Sequence, residues 1–383
     1  MREYVGGSKA NAKIVGMIII LRGRGSRWQP LPLPLIELLV VSEQLSGEII
    51  RQFWELCQNR YRLPILEAYG KESGMTSQTT SLKTLKIAVV GDVHDQWEVE
   101  DGNALKHLGV DLVLFVGDFG NESVEVVRAI ASLDIPKAAV MGNHDAWYTA
   151  TEWGRKKCPY DRSKEDWVQE QLNLLGEAHV GYRKLDIPAF NLTVVGGRPF
   201  TWGGPEWRFA DICKERYGVT DLDESAVRIF AAVKKAAYET IIFLGHNGPS
   251  GLGDRPEDPC GKDWHPIGGD FGDPDLAEAI SLTLTAGKMV PLVTFGHMHQ
   301  TLRHTKKVLR KRVFTSPEGT VYLNAASVPR IVDSDGQKLR NFSIVLLEDG
   351  VVSQASSIWV ANGYKVASEE ILYEKSRSVV QTA

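Results

Sequence analysis

Cysteine is scarce in this chain. Its 383 residues hold four, Cys57, Cys158, Cys213 and Cys260, far apart and never in a CxxC pair. That excludes a disulfide framework or a cysteine-built zinc cluster and fits a reduced intracellular compartment. Long apolar runs are missing as well. Ile14 to Leu21 is short and stopped by Arg22 and Arg24, and Leu31 to Val41 is broken by Pro32 and Pro34. A helix that spans a bilayer needs about 18 or more apolar residues in succession, so no membrane span is expected. Nor is there an excess of positive charge. The balance of 44 basic against 48 acidic residues argues against nucleic acid as an obligatory partner, which usually shows as a basic domain. The 43% apolar content allows a large core in one or two domains at this length.

Residues 1–84 read as an extension outside the main fold. Ile36 to Tyr61 carries apolar residues at helical spacing (Leu39, Ile49, Ile50, Phe53, Leu56), and residues 71–84 form a polar linker rich in Ser, Thr and Lys. From Leu85 onward, strands and helices alternate, the rhythm of parallel strands joined by crossover helices. Strands are expected at Leu85–Val90, Leu112–Val116, Ala138–Met141, Leu192–Val195, Ile241–Leu244 and Val293–Phe295, with helices over Ala104–Leu108, Ser123–Leu133 and Glu224–Ala237. A strand-rich stretch around the turn Asp349-Gly350 follows. The main domain is expected over 85–365, with 366–383 a C-terminal tail.

Five short blocks close apolar runs: Gly91-Asp92-Val93-His94, Gly117-Asp118, Gly142-Asn143-His144-Asp145, Gly245-His246 and Gly296-His297-Met298-His299. A short apolar run ending in Gly is how a buried strand and its turn look in sequence. With the strands side by side, the turns open at one sheet edge and gather five imidazoles, three carboxylates and one carboxamide. Such oxygen and imidazole donors suit Mn, Fe or Zn, and the set is large enough for two ions.

The order, spacing and residue types of these blocks resemble the calcineurin-like metallophosphoesterases over roughly Lys86 to Val360. The resemblance implies a four-layer αββα sandwich, an α/β fold of two mixed sheets flanked by helices. It also implies two divalent metal ions about 3.5–4 Å apart, activating a bridging hydroxide that attacks a phosphomonoester or phosphodiester. By residue-to-residue matching, Asp118 is the bridging ligand, Asp92, His94 and His299 complete one metal position, and Asn143, His246 and His297 complete the other. Two divalent ions carry four positive charges and the two Asp ligands remove two, so such a site stays attractive to a phosphate oxyanion. His144 matches the histidine that stabilises charge and protonates the leaving oxygen, with Asp145 expected to hold its ring in one tautomer. The second block departs from the protein phosphatase branch, which continues Gly-Asp-x-x-Asp-Arg-Gly. Here Asn121 and Glu122 stand in place of Asp and Arg, so a phosphate clamp is missing, and Asn121 is expected to cap the helix that starts near Glu122.

Two insertions invite a substrate role. Gly196 to Asp223 carries Arg198, Trp202, Trp207, Arg208 and Tyr217, and Ser250 to Pro274 carries Arg255, Lys262 and His265. Loops beside a metal site usually decide which substrate fits. Arg198, Arg255 and His265 are therefore candidate substrate contacts, against a packed lid with its tryptophans in a satellite core. His107 and His179 read as structural, and His304, like His265, as a loop residue near a motif end. The rival reading is a scaffold that keeps the fold and binds a protein partner; its known counterparts tend to lose the histidine that His144 matches. A nuclease is disfavoured by the acidic 250–274 loop. Within the family, the chain most resembles a branch found in cyanobacteria and plants. With the basic residues Arg2, Lys9, Lys13, Arg22, Arg24 and Arg27 near the start, this leads to an expected plastid location, or else a cytoplasmic one.

Overall fold

Alternation in the apolar runs decides how the strands are layered. The computed structural model describes residues 84–334 and 336–376. The helical stretch expected over Ile36–Tyr61 and the linker up to residue 83 lie outside the described residues. In chain order the strands are β1 (Leu85–Val90), β2 (Leu112–Phe115), β3 (Lys137–Ala139), β4 (Lys184–Ile187), β5 (Leu192–Gly196) and β6 (Thr240–Leu244). They continue with β7 (Met289–Phe295), β8 (Val313–Thr315), β9 (Val321–Asn324), β10 (Ile331–Ser334), β11 (Gln337–Glu348), β12 (Val351–Val360) and β13 (Val366–Glu374).

They form two mixed sheets, one ordered β13-β12-β11-β1-β2-β3 with β10 paired to β11, the other β4-β5-β6-β7-β9-β8. Ile87 and Val89 of β1 and Leu112 and Leu114 of β2 face Ile242, Leu244, Leu292 and Leu323 of the second sheet in one buried cluster. The alternate residues Ala88, Val90, Val113 and Phe115 pack outward, with Val127 and Ile130 of the helix Val124–Ala131 and Val168 of the helix Trp167–Leu175. On the opposite side Ile241, Phe243 and Val293 pack with Ile229 of the helix Leu222–Lys234 and Ile280 of the helix Pro274–Thr285. Both faces of each central strand are therefore covered, which is why these strands read as continuous apolar runs. The chain is the expected α/β sandwich of four layers.

Parallel pairing in β1-β2-β3 and in β5-β6-β7-β9 aims the carboxyl ends of the motif strands the same way within each sheet. The five blocks divide between the sheets, three following β1, β2 and β3 and two following β6 and β7, rather than lining one sheet edge.

Three expectations need correction. The helix expected to begin near Ala104 starts at Val99, its first turn carrying Glu100 and Asp101 with Glu98 and Asp101 in a reciprocal capping box. The strand expected over Ala138–Met141 is Lys137–Ala139. Residues 366–374, expected in a tail, form the edge strand β13 beside β12. Its residues are mostly exposed, so it lacks the buried alternation that marks a strand in sequence. Between β11 and β12, Asp349 and Gly350 both take left-handed φ, 51° and 75°, as a two-residue hairpin turn demands.

Candidate metal centre

The blocks meet where the two sheets' carboxyl edges come together. Tight turns place the donors: His94, Asp118 and His297 take positive φ of 43°, 52° and 64°, a conformation that costs a non-glycine residue of order 1 kcal/mol and clusters at functional sites. Two glycines are required by close approach. A Cβ on Gly142 would lie 2.2 Å from Asp118 Oδ1, and one on Gly296 would lie 2.1 Å from Asp92 Oδ1.

Two groups of donors result. In the first, His299 Nε2 lies 3.2 Å from Asp92 Oδ2 and 3.3 Å from His94 Nε2. In the second, His246 Nε2 lies 3.0 Å from Asn143 Oδ1 and 3.4 Å from Asp118 Oδ1, with the His297 ring 5.0 Å from the His246 ring. The other carboxylate oxygen, Asp118 Oδ2, faces His94 Nε2 at 3.8 Å. Asp92–His94–His299, His94–Asp118–His144 and Asp118–His246–His297 each bring three donor atoms within 4.8 Å of one another, as a metal ion requires.

The donor chemistry fits a cation. His246 Nδ1 is 2.8 Å from the Val116 carbonyl, which only accepts, so Nδ1 carries the proton. Nε2 is then the ring atom free for a cation, and it converges with the carboxamide and carboxylate oxygens of Asn143 and Asp118, both of which are acceptors. Main-chain N–H groups steady both carboxylates: His297 N–H donates to Asp92 at 3.0 Å and His144 N–H to Asp118 at 2.9 Å.

Electrostatics hold the two carboxylates ionised and His297 neutral, and leave His299 bound to Asp92. Burial alone would push the Asp92 carboxyl up, but the bond with His299 and the surrounding imidazoles hold it below the usual range. Asp118 is likewise lowered, burial being outweighed chiefly by His246 and His144. Burial brings His297 down to about 3, so it is neutral, whereas His299 is raised because its bond to Asp92 outweighs burial. Burial also lowers His144.

His144 and Asp145 are placed differently from expectation. Asp145 does not touch the His144 ring; its carboxylate accepts N–H bonds from Gly142 (2.6 Å), Phe119 (2.7 Å) and Asp118 (3.0 Å), tying the second and third blocks together. Asn121 is the ring's partner, its Oδ1 2.7 Å from His144 Nδ1. It is therefore not the helix cap; the helix starts at Val124 with Ser123 in the capping position. Glu122 is buried, with its N–H on the His144 carbonyl and its carboxylate accepting from Thr149 N and Tyr160 Oη.

Of the substrate candidates, Arg198 is committed elsewhere. Arg198 is 2% exposed and locked between Asp273 and Asp275, both at 3.0 Å. Its proposed contact with substrate is withdrawn: it ties the loop after β5 to the start of the helix Pro274–Thr285. Arg255 and His265 lie exposed on the 250–274 loop, and no described hydrogen bond or ion pair joins their side chains to the Asp–His groups. Sequence reading also missed Trp147, stacked on the His144 ring at 4.8 Å. Its place three residues after His144, at helical spacing, was the available signal.

A sandwich that gathers Asp, Asn and His at its carboxyl edges is the build of a metal-dependent hydrolase. The chain belongs to the calcineurin-like phosphoesterases, whose family profile matches residues 85–301, and its activity is metal-dependent hydrolysis of phosphate esters. No curated protein matches it. Among solved structures it is similar to the protein TT1561 of Thermus thermophilus, at 13% identity over 76% of this chain and 100% of that one, with a TM-score of 0.41. It is also similar to a dimetal phosphatase from Danio rerio, at 12% identity over 76% and 99% of the two chains, with a TM-score of 0.40. Among the described residues, no helix is long and apolar enough to cross a membrane.

Proposed function

We propose that this chain hydrolyses a small phosphomonoester or phosphodiester with two divalent ions, drawn from Mn, Fe and Zn, held side by side in this cleft. The observation that carries the reading is Asp118, whose Oδ2 faces His94 at 3.8 Å while its Oδ1 faces His246 at 3.4 Å. One carboxylate thus serves both donor groups, as a shared ligand does. Asp92, His94 and His299 hold one ion, and Asn143, His246 and His297 the other. When bound, the ions supply Lewis acidity, withdrawing charge from the phosphoryl oxygens and lowering the pKa of water.

The chain's own residues position and protonate. His144 is engaged at Nδ1 by Asn121, which leaves Nε2 for the phosphoryl group. In the imidazolium form, favoured as negative charge builds up beside it, Nε2–H stabilises that charge and hands its proton to the leaving oxygen, leaving the neutral ring. Asp145, through three backbone N–H groups, fixes the turns that carry Asp118 and His144. The catalytic domain extends from Leu85 through β13.

The test is turnover of p-nitrophenyl phosphate and bis-p-nitrophenyl phosphate by Mn-loaded protein, with Asp118→Asn as control. Hydrolysis that disappears in the control is expected, and the preferred ester separates monoesterase from diesterase. Two bound ions without turnover of either ester would favour the protein-binding scaffold instead. His144→Ala is expected to keep both ions and lose turnover about 10²–10⁴-fold; loss of metal with activity would overturn its role.

A further inference from the structure

Three indoles form a wall beside His144. Trp147 lies flat on the imidazole, the rings 4.8 Å apart and 5° from parallel. Trp202 stacks near Trp147 at 5.8 Å and 30°, and Trp153 meets Trp147 edge-on at 6.0 Å. They come from separate segments: the helices Trp147–Ala150 and Glu152–Lys157 and the loop after β5. Trp153 is 57% exposed, and Trp147 and Trp202 are each partly exposed. A satellite core would hide Trp153 as well; its exposed ring continues the partly exposed edges of Trp147 and Trp202, apolar surface of the kind that marks a place of contact. The Nε1 atoms of Trp147 and Trp202 are buried without a partner, so what these two rings offer to solvent is carbon surface rather than a donor. Lys157 over Trp153 (5.1 Å) and Arg208 over Trp202 (5.9 Å) order the outer indoles by cation–π contact.

We propose that this wall receives the leaving group of the substrate and selects one carrying a flat aromatic ring. The inference rests on the reading of His144 as proton donor to the leaving oxygen. Whatever is attached to that oxygen then lies on the His144 side of the cleft, against Trp147 and its neighbours. Flat rings meet indoles in offset-stacked or edge-on contact, a gain beyond area burial that a puckered ring lacks.

Benzyl and cyclohexylmethyl phosphate, each also as its methyl diester, have leaving alcohols of similar acidity and differ in the flatness of the ring. The metal-loaded wild type is expected to favour the benzyl ester about tenfold in kcat/KM. Trp153→Ala and Trp202→Leu should each bring that ratio towards one, and Trp153→Phe should retain it. Independently of turnover, benzylphosphonate should change indole fluorescence saturably, at lower concentration than cyclohexylmethylphosphonate. Equal kcat/KM for the two esters, or a preference that survives both variants, overturns the assignment. Failure to hydrolyse these esters and both p-nitrophenyl esters overturns the hydrolase reading beneath it, and this one with it.

Discussion

His144 Nδ1 lies 2.7 Å from Asn121 Oδ1, while the carboxylate of Asp145, its neighbour in sequence, turns away to collect three backbone N–H groups. A carboxamide therefore orients the working ring. Removing a partner of this kind typically costs 10–100-fold in activity. Asn121→Ala is expected to lower kcat by about that factor with metal content unchanged, since Asn121 is exposed and bonds no proposed ligand. An unchanged kcat would show that the ring needs no such support.

Asp118 and His297 should differ in metal stoichiometry. Asp118 faces both donor groups and His297 belongs to one. Elemental analysis is expected to find both ions lost from Asp118→Ala and one retained in His297→Ala. Equal losses would contradict the sharing.

Gly296 tests how tightly the first carboxylate is packed. A methyl there would sit 2.1 Å from Asp92 Oδ1, and because Asp92 is fully buried it has little room to retreat. Gly296→Ala is expected to cost about 1–3 kcal/mol in urea unfolding, as overpacking does, and to weaken metal binding. A variant of wild-type stability and metal content would refute the contact.

Arg198 should matter for folding and not for substrate choice. Removing one member of a buried ion pair strands the others, at about 3–5 kcal/mol. Arg198→Ala is expected to lose stability of that order, with Asp273 and Asp275 left unpaired. A stable variant with a raised KM would restore the arginine to the substrate pocket.

His179 gives the unfolding equilibrium a pH dependence. Burial brings its pKa down from 6.5 to about 4, so between those values the unfolded chain binds more protons than the folded one. Its contribution is fully present above pH 6.5 and is lost as pH falls towards 4. At about 1.4 kcal/mol per pKa unit it amounts to roughly 3 kcal/mol. His179→Gln should therefore flatten urea stability between pH 7.5 and 5; an unaltered slope would assign the acid sensitivity elsewhere.

The sandwich and the donors were legible because parallel central strands are buried on both faces and end in glycine turns, which leaves apolar runs followed by Gly-Asp or Gly-His. Direction was not legible. Asn121 and Asp145 lie close to His144 in the folded turns, and only the path of the tight turns decides which side chain meets the ring. Arg198 looked available because its partners Asp273 and Asp275 stand on an element far along the chain. Strand β13 escaped notice because residues such as Ser368, Glu369 and Glu370 are exposed and leave no apolar face to read.

The donors are divided between the two sheets: Asp92, His94, Asp118 and Asn143 follow strands of one, and His246, His297 and His299 follow strands of the other. Each donor group draws on both. Ions seated there would act as rivets across the sandwich, so that their binding free energy opposes any sliding of one sheet over the other. A buried leucine in the layer between the sheets, such as Leu114 or Leu292, would then influence metal affinity without being a ligand, simply by setting the distance that the rivets must close.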